Sequence, residues 1–228
     1  MFVSAIVVAA GRGRRFRGEI SKPFLKIKAH PVIIYPLIVL SRHSDIKEII
    51  VVGNPDNIDD LRSIIKKYKV KKVSKVILGG RERQDSVLKG LKETSKDADL
   101  VLIHDGVRPF ISRGLVNALI KEAHIRKAAI LGVPVKATIK LSDKKNYVRK
   151  TLDRDYLYEI QTPQVYERKL LLKAYEMYGN KRVTDDAALI EKMGLKVKIV
   201  LGDYSNIKIT TIEDFLIAKE IAKTWKTA

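Results

Sequence analysis

An α/β fold on a mostly parallel sheet is predicted by three features of this 228-residue chain. Short β-rich apolar runs recur along it, helical-period apolar patterns separate them, and glycine- or charge-rich segments follow where the runs end. Val3 to Ala9 is the first run and reads as a short buried strand. Glu48 to Gly53, Lys72 to Leu78, Asp99 to His104 and Ala128 to Val133 are the candidate inner strands. Ile58, Leu61, Ile64, Ile65 and Tyr68 fall on one helical face, as do Val87, Leu88 and Leu91 after Gly80, so both stretches read as crossover helices. The last helix is expected to start at a capping box, Thr210 with Glu213, and to pack through Ile212, Phe215, Leu216, Ala218 and Ile221. Without an internal repeat or a Pro/Gly/Ser-rich linker, residues 1–228 read as a single three-layer domain. One insertion interrupts it, Val135 to Gln161, where Lys136, Lys140, Asp143, Arg149, Asp153 and Arg154 crowd short strand-like pieces. Two isolated strands are marginally stable in water, so this arm is expected to pack on a second copy of the chain, making a homodimer through residues 135–161.

Composition sets limits on function. A hydrophobic content of 46% is enough for a sizeable core. No apolar run approaches the ~20 residues that span a bilayer, and the N-terminus lacks secretory features. No membrane association and a cytoplasmic location are therefore expected. With no cysteine and four histidines, disulfides, thiolate nucleophiles and cysteine zinc sites are excluded, and any metal must be held mainly by oxygen. The formal charge of +19 raises the alternative of a basic nucleic-acid-binding protein. Yet Lys66, Lys67, Lys69, Lys71 and Lys72 lie on predicted helix and strand margins without a recognisable nucleic-acid fold signature and read as solvated surface, so no nucleic-acid partner is expected.

Chemistry concentrates first in Ala9-Ala10-Gly11-Arg12-Gly13-Arg14-Arg15-Phe16, followed by Lys22. Glycines directly after a strand let backbone amides face an anion, and Arg15 and Lys22 can close over it, which outlines a polyphosphate site. Two familiar phosphate motifs do not fit. The dinucleotide fingerprint requires a third glycine where Phe16 stands, and the P-loop requires a lysine where Glu19 follows Gly18. A glycine turn with no ligand is the plain alternative.

Other strand ends resolve the matter, because ligands of open α/β sheets bind outside the carboxyl ends of the strands. Beside the first loop lie Gly79-Gly80-Arg81-Glu82-Arg83-Gln84-Asp85-Ser86, His104-Asp105-Gly106-Val107-Arg108-Pro109 and Ser205-Asn206-Ile207-Lys208. His104 reads as a hydrogen-bonded structural residue, and Asp105 as a functional acid at a strand end. Arg83 and Asp85 fit a solvated helix start or a nucleotide site equally, whereas Thr184, Asp185 and Asp186 read as a helix N-cap.

These segments, with Thr151-Leu152-Asp153-Arg154, Gln161-Thr162-Pro163-Gln164 and Val183-Thr184-Asp185-Asp186, resemble the 2-C-methyl-D-erythritol 4-phosphate cytidylyltransferase family in order and spacing over nearly the whole chain. The resemblance implies a Rossmann-like nucleotidyltransferase fold with a protruding β-arm. It also implies transfer of a cytidylyl group from CTP to methylerythritol phosphate, with release of pyrophosphate, in non-mevalonate isoprenoid synthesis. The acceptor phosphate is itself the nucleophile, so no general base is required. Arg15 and Lys22 match the family's transition-state cations, with Arg154 and Lys208 completing the catalytic set. Ala9, Ala10, Gly11, Gly13, Gly80, Ser86, Asp105 and Gly106 would line the CTP site together with Arg15 and Lys22. Asp105, Arg108, Thr138, Arg154, Thr162 and Lys208 would hold methylerythritol phosphate, with Arg154 reaching across a dimer. Mg²⁺ would bridge triphosphate oxygens, with Asp105 as its protein ligand and Asn206 as a second candidate. Arg81 stands at a position the family often fills with an acid, adding a cation near the base pocket. A ribitol 5-phosphate cytidylyltransferase shares the fold and some motifs and is the nearest alternative.

Overall fold

The computed structural model describes residues 1–11, 22–181 and 183–225. β1 (Val3–Val8) opens the chain, and after a 3₁₀ turn at Lys22–Phe24 a small hairpin of β2 (Lys26–Ile27) and β3 (His30–Pro31) leads into α1 (Ile34–Arg42). β4 (Ile46–Gly53), α2 (Ile58–Lys67), β5 (Val73–Leu78) and α3 (Arg83–Glu93) then alternate. β6 (Leu100–Asp105), α4 (Arg113–Arg126) and β7 (Ala128–Pro134) continue the pattern. β8 (Lys140–Ser142) and β9 (Val148–Thr151) form a separate hairpin before β10 (Tyr158–Glu167) returns to the main sheet. α5 (Arg168–Tyr178), α6 (Ala187–Lys192), β11 (Lys198–Leu201) and α7 (Ile212–Thr224) follow.

The main sheet runs β11-β7-β10-β6-β1-β4-β5. Every pairing in it is parallel except those of β10, which lies antiparallel between β6 and β7. Residue alternation divides the core into two layers. Val3, Ala5 and Val7 of β1 face α1, α2 and α4 through Leu37, Leu61 and Leu119. Ile6 and Val8 face α3, α5 and α6 through Val87, Leu171 and Ile190. Because both faces are covered, β1 and β6 are buried along their whole length, as their unbroken apolar runs require. A smaller cluster joins α7 to the β2–β3 hairpin through Ile27, Phe110, Ala218 and Ala222.

The chain passes from β1 outward through β4 to β5, then crosses to the other side of β1 to make β6. The loops after β1 and β6 therefore diverge, which is where open sheets form their crevices. β10 brings its N-terminal half to the same edge because it runs the other way.

Three sequence expectations are corrected here. The capping box of α7 pairs Thr211 with Asp214, not Thr210 with Glu213. Asp214 accepts the amides of both Thr210 and Thr211 at 2.8 Å, so the frame shifts by one residue. Ile212 and Leu216, expected to pack inward, are half exposed, because the buried side of α7 runs through Ala218 and Ala222. The segment assigned to the arm also extends too far: Tyr158–Gln161 pairs with β7 in the main sheet, leaving the arm proper as β8, β9 and their connections.

Candidate active site

A cavity of about 850 Å³ opens over the ends of β1 and β4 and the start of α3, lined by Ala9, Ala10, Gly11, Lys22, Gly80 and Arg81 among others. The turn after β1 is fixed from the neighbouring strand end. Ala9 N–H donates to the Val52 carbonyl at 2.7 Å. The side-chain amides of Asn57 and Asn54 donate to the carbonyls of Ala9 and Ala10 at 2.9 and 3.1 Å. Both asparagines are buried, so these carbonyls are turned toward protein donors instead of toward an anion. Gly79 and Gly80 are required by crowding: a Cβ on Gly80 would stand 2.2 Å from the Asp85 Cβ, and one on Gly79 would stand 2.9 Å from the Ala10 Cβ. Ser86 is consumed within this turn, accepting from Gly80 N–H and donating to the Glu82 carbonyl, each at 3.1 Å. Lys22 Nζ donates to the Thr210 carbonyl, which ties the 3₁₀ turn to the segment before α7. Arg12 to Ser21, and with them Gly13 and Arg15, lie outside the described residues.

A second cavity of about 720 Å³ lies beyond β6, walled by Arg108, Gln161, Thr162, Gln164 and Asp185 and by the apolar Ile130, Ile160 and Ile199. Its polar wall is organised by β10. The register against β7 shifts between Gln161 and Gln164, which turns Thr162 toward the end of β6, where its hydroxyl accepts from Asp105 N–H at 3.0 Å. Gln161 is buried and holds the loop after β11. It donates to the Asp203 carbonyl at 2.8 Å and accepts from the Asn206 amide at 3.2 Å. Asn206 in turn gives its carbonyl to Arg108 Nη1 at 2.6 Å. Arg108 places a guanidinium on this wall; it is buried, and its Nε has no hydrogen-bond partner.

Arg83, Asp105 and Lys208 line both cavities and form their common wall. Asp105 receives Arg83 Nε on one oxygen at 3.1 Å and Lys208 Nζ on the other at 2.6 Å. Burial alone would raise its pKa, but the charges of Arg83 and Lys208 outweigh that and hold the carboxyl far below its usual range. Arg83 also pairs with the buried Asp186 at 2.8 Å; burial disfavours its charge, and the two carboxylates more than reverse this. His104 sits directly behind the wall. Burial pushes its pKa down to about 4, so it is neutral near pH 7. Nε2 lies 3.0 Å from the Arg108 carbonyl, which can only accept, so Nε2 carries the proton and Nδ1 accepts from the Thr162 hydroxyl at 3.2 Å.

The residues assigned from sequence thus separate in space. Ala9, Ala10, Gly11, Lys22, Gly80 and Ser86 border the first cavity, Arg108 and Thr162 border the second, and Asp105 and Lys208 divide them. Gly106 lines neither; its N–H continues the ladder by donating to the Val8 carbonyl at 2.8 Å. Arg154 and Thr138 are exposed on the arm, with Arg154 reaching only the Lys136 carbonyl at 3.2 Å, so the chain does not bring them to its own cavities. Arg83, open between two readings in the sequence, belongs to the site, whereas Asp85 closes a capping box with Glu82. Asp185 caps α6 by accepting from Ala188 N–H, but Asp186 does not cap; it binds Arg83. Asn54 and Asn57 were not singled out in the sequence, although the Asn-Pro-Asp-Asn run after β4 marks a strand end like the others, and Gln161 stood within a quoted motif without a role of its own.

A hard cation finds a single carboxylate at the wall. No three His, Cys, Asp or Glu converge among the described residues, and Asn206 is fully buried and lines neither cavity. Asp105 is ionised and each of its oxygens has a lone pair to spare, so it fits as one ligand of an ion held otherwise by phosphates and water.

Comparison with known proteins agrees along nearly the whole length. Residues 3–224 match the family model described as 2-C-methyl-D-erythritol 4-phosphate cytidylyltransferase. Curated proteins of that name from Caldanaerobacter subterraneus subsp. tengcongensis and Clostridium botulinum are each 44% identical, covering 96% of this chain and 98% and 96% of their own. Among solved structures, the 4-diphosphocytidyl-2C-methyl-D-erythritol synthase of Anaerococcus prevotii is 39% identical with a TM-score of 0.85, over 97% of this chain and 98% of that one. The 2-C-methyl-D-erythritol 4-phosphate cytidylyltransferase of Thermus thermophilus is 30% identical with a TM-score of 0.79, over 98% and 100%.

Proposed function

The chain belongs to the 2-C-methyl-D-erythritol 4-phosphate cytidylyltransferase family, and from that premise we propose how its two cavities divide the work. CTP and 2-C-methyl-D-erythritol 4-phosphate react to give 4-diphosphocytidyl-2-C-methyl-D-erythritol and pyrophosphate. CTP takes the cavity beside the turn after β1, and the acceptor takes the one beyond β6. The observation that carries this division is the wall of Arg83, Asp105 and Lys208, which both cavities share. Two substrates bound on either side of one wall meet at its edge, the arrangement that in-line transfer needs.

An oxygen of the acceptor phosphate attacks the α-phosphorus as the bond to the bridging oxygen of pyrophosphate breaks. The attacking group is already an anion, so the protein supplies alignment and positive charge instead of a base. His104, neutral and enclosed, has no proton transfer to perform. Arg108, a cation on the wall of the acceptor cavity, orients the acceptor phosphate, Thr162 fixes the end of β6 beside it, and Lys208 lies between the two anions. Lys22 exchanges the Thr210 carbonyl for phosphate oxygen and, with Arg15, balances charge that grows on the α-phosphoryl group. Mg²⁺ is expected at Asp105, where it would neutralise triphosphate charge.

The exposed arm supports a homodimer, in which Arg154 and Thr138 of one chain complete the acceptor site of the other. Nucleic acid is not an expected partner, because Lys66, Lys67, Lys69 and Lys71 of α2 and its flank are scattered exposed residues, while Lys72 is tied to the His43 carbonyl at 2.6 Å. The cytoplasm, where nucleoside triphosphates are held, is the expected compartment.

The test is pyrophosphate release by purified protein with CTP and Mg²⁺, comparing methylerythritol 4-phosphate with ribitol 5-phosphate. Turnover with the former that drops by at least about 100-fold in Lys22→Ala supports the assignment. Preference for ribitol 5-phosphate moves the acceptor, and no release with either sinks the reading.

A further inference from the structure

Asp186 lines neither cavity, yet it holds the wall between them. It is 1% exposed, and one carboxylate oxygen accepts from Arg83 Nη1 at 2.8 Å while the other accepts from the Tyr175 hydroxyl at 2.5 Å. Asp186 stands at the start of α6 but makes no cap bond, since Asp185 accepts the Ala188 amide instead. Its carboxylate is therefore committed to Arg83 and Tyr175. The same tie is doubled next door, where Gln84 donates to the Gly179 carbonyl at 2.8 Å, so the first turn of α3 is fastened to the connection between α5 and α6.

The consequence lies at Arg83. A guanidinium held by one carboxylate can swing about it, whereas one held through Nε by Asp105 and through Nη1 by Asp186 has a single orientation. The side chain of Arg83 is 27% exposed and borders the cavity assigned to CTP, so an incoming triphosphate competes for it. Were Arg83 drawn onto the nucleotide, Asp105 would lose one of its two cations and Lys208 would lose its fixed counter-ion.

We propose that Asp186 is a positioning residue for the transfer reaction: braced by Tyr175, it anchors Arg83 against the pull of the triphosphate and so fixes Asp105 and Lys208 where the two substrates meet. This rests on the division of the cavities given above. Because Asp186 is an acid near a polyanion site, its removal weakens alignment without weakening nucleotide attraction. The loss falls on kcat, while KM for CTP holds or decreases.

Asp186→Asn, Tyr175→Phe, Arg83→Gln and the Asp186→Asn/Arg83→Gln pair test this in the full chain. In ¹⁵N-labelled protein the Arg83 Nε–H resonance, assigned by its loss in Arg83→Gln, is expected to be resolved and exchange-protected in the wild type. It is expected to merge with the mobile arginines in Asp186→Asn while the remaining amide spectrum persists. With CTP and methylerythritol phosphate, kcat is expected to fall about tenfold in Asp186→Asn, and by less in Tyr175→Phe, with no further loss when Asp186→Asn is added to Arg83→Gln. A protected Arg83 resonance in Asp186→Asn overturns the proposal, as does unchanged kcat or equal losses on both backgrounds. Should Asp186→Asn not fold, Tyr175→Phe decides by the same readouts. A wild type that shows the protected resonance without turnover overturns the functional reading instead, and unchanged kcat in an active enzyme overturns the brace alone.

Discussion

At the scale of single residues, His104 has the most direct consequence for stability. Its folded pKa of about 4 lies below the ordinary 6.5, so the unfolded chain binds a proton that the folded one refuses throughout that interval. Stability conferred by the neutral ring is complete above the unfolded pKa and is lost as pH falls toward 4, by about 3 kcal/mol across the window. Asp105 works in a lower range, because its folded pKa is depressed beneath an unfolded value of 3.8, and its contribution fades only below that. The two are therefore separable. His104→Gln keeps a donor for the Arg108 carbonyl and an acceptor for Thr162 but does not titrate. Denaturant unfolding is expected to show a slope between about pH 6.5 and 4.5 in the wild type that is much reduced in His104→Gln. An equal slope in both would mean that other groups carry it.

Among the elements, the β8–β9 arm is the least self-sufficient. It buries little, and Leu141, Tyr147, Val148 and Tyr156 stand exposed along it. If a second chain covers these residues, a carboxylate among them costs several kcal/mol when unpaired, and association weakens on the order of 100-fold or more. Val148→Glu is expected to sediment as a monomer with an unchanged far-ultraviolet spectrum, and to lose affinity for methylerythritol phosphate through the displaced Arg154. A Val148→Glu dimer would remove the arm from the interface. How far the sequence disclosed these elements follows from where their information resides. β1 and β6 were legible because both faces are buried, leaving unbroken apolar runs, whereas β5, expected as an inner strand, is a sheet edge with no buried residue, and β11 at the other edge was not named. β10 was hidden because Thr162, Pro163 and their neighbours interrupt its pattern with a bulge, and its antiparallel direction depends on β6 and β7. Asp105 and Lys208 could be read at strand ends, but the partnership of Arg83 with Asp186, 103 positions apart, exists only once α3 and α6 pack on one face. Thr210 and Thr211 present the same cap in adjacent frames, and only the reach of Asp214 chooses between them.

For the whole molecule, charge is the property that couples stability to substrate binding. The net +19 is spread over the surface and also gathered at Lys22, Arg83, Arg108 and Lys208 around the cavities. Surface lysines repel one another in the folded state, and that repulsion is largely screened beyond the Debye length of about 10 Å at 0.1 M salt. The site cations attract a polyanion, and the same ions weaken that attraction. Raising salt from about 10 to 150 mM is therefore expected to increase Tm while also increasing KM for CTP, so stability and affinity move in opposite directions. Differential scanning calorimetry and initial rates over one salt series give both quantities. A Tm that falls with salt would show that attractive pairs such as Lys75–Glu93 outweigh the repulsion. A KM that does not move would mean that the bound ion neutralises the triphosphate before the protein meets it, leaving the cations of the wall to act on the transition state alone.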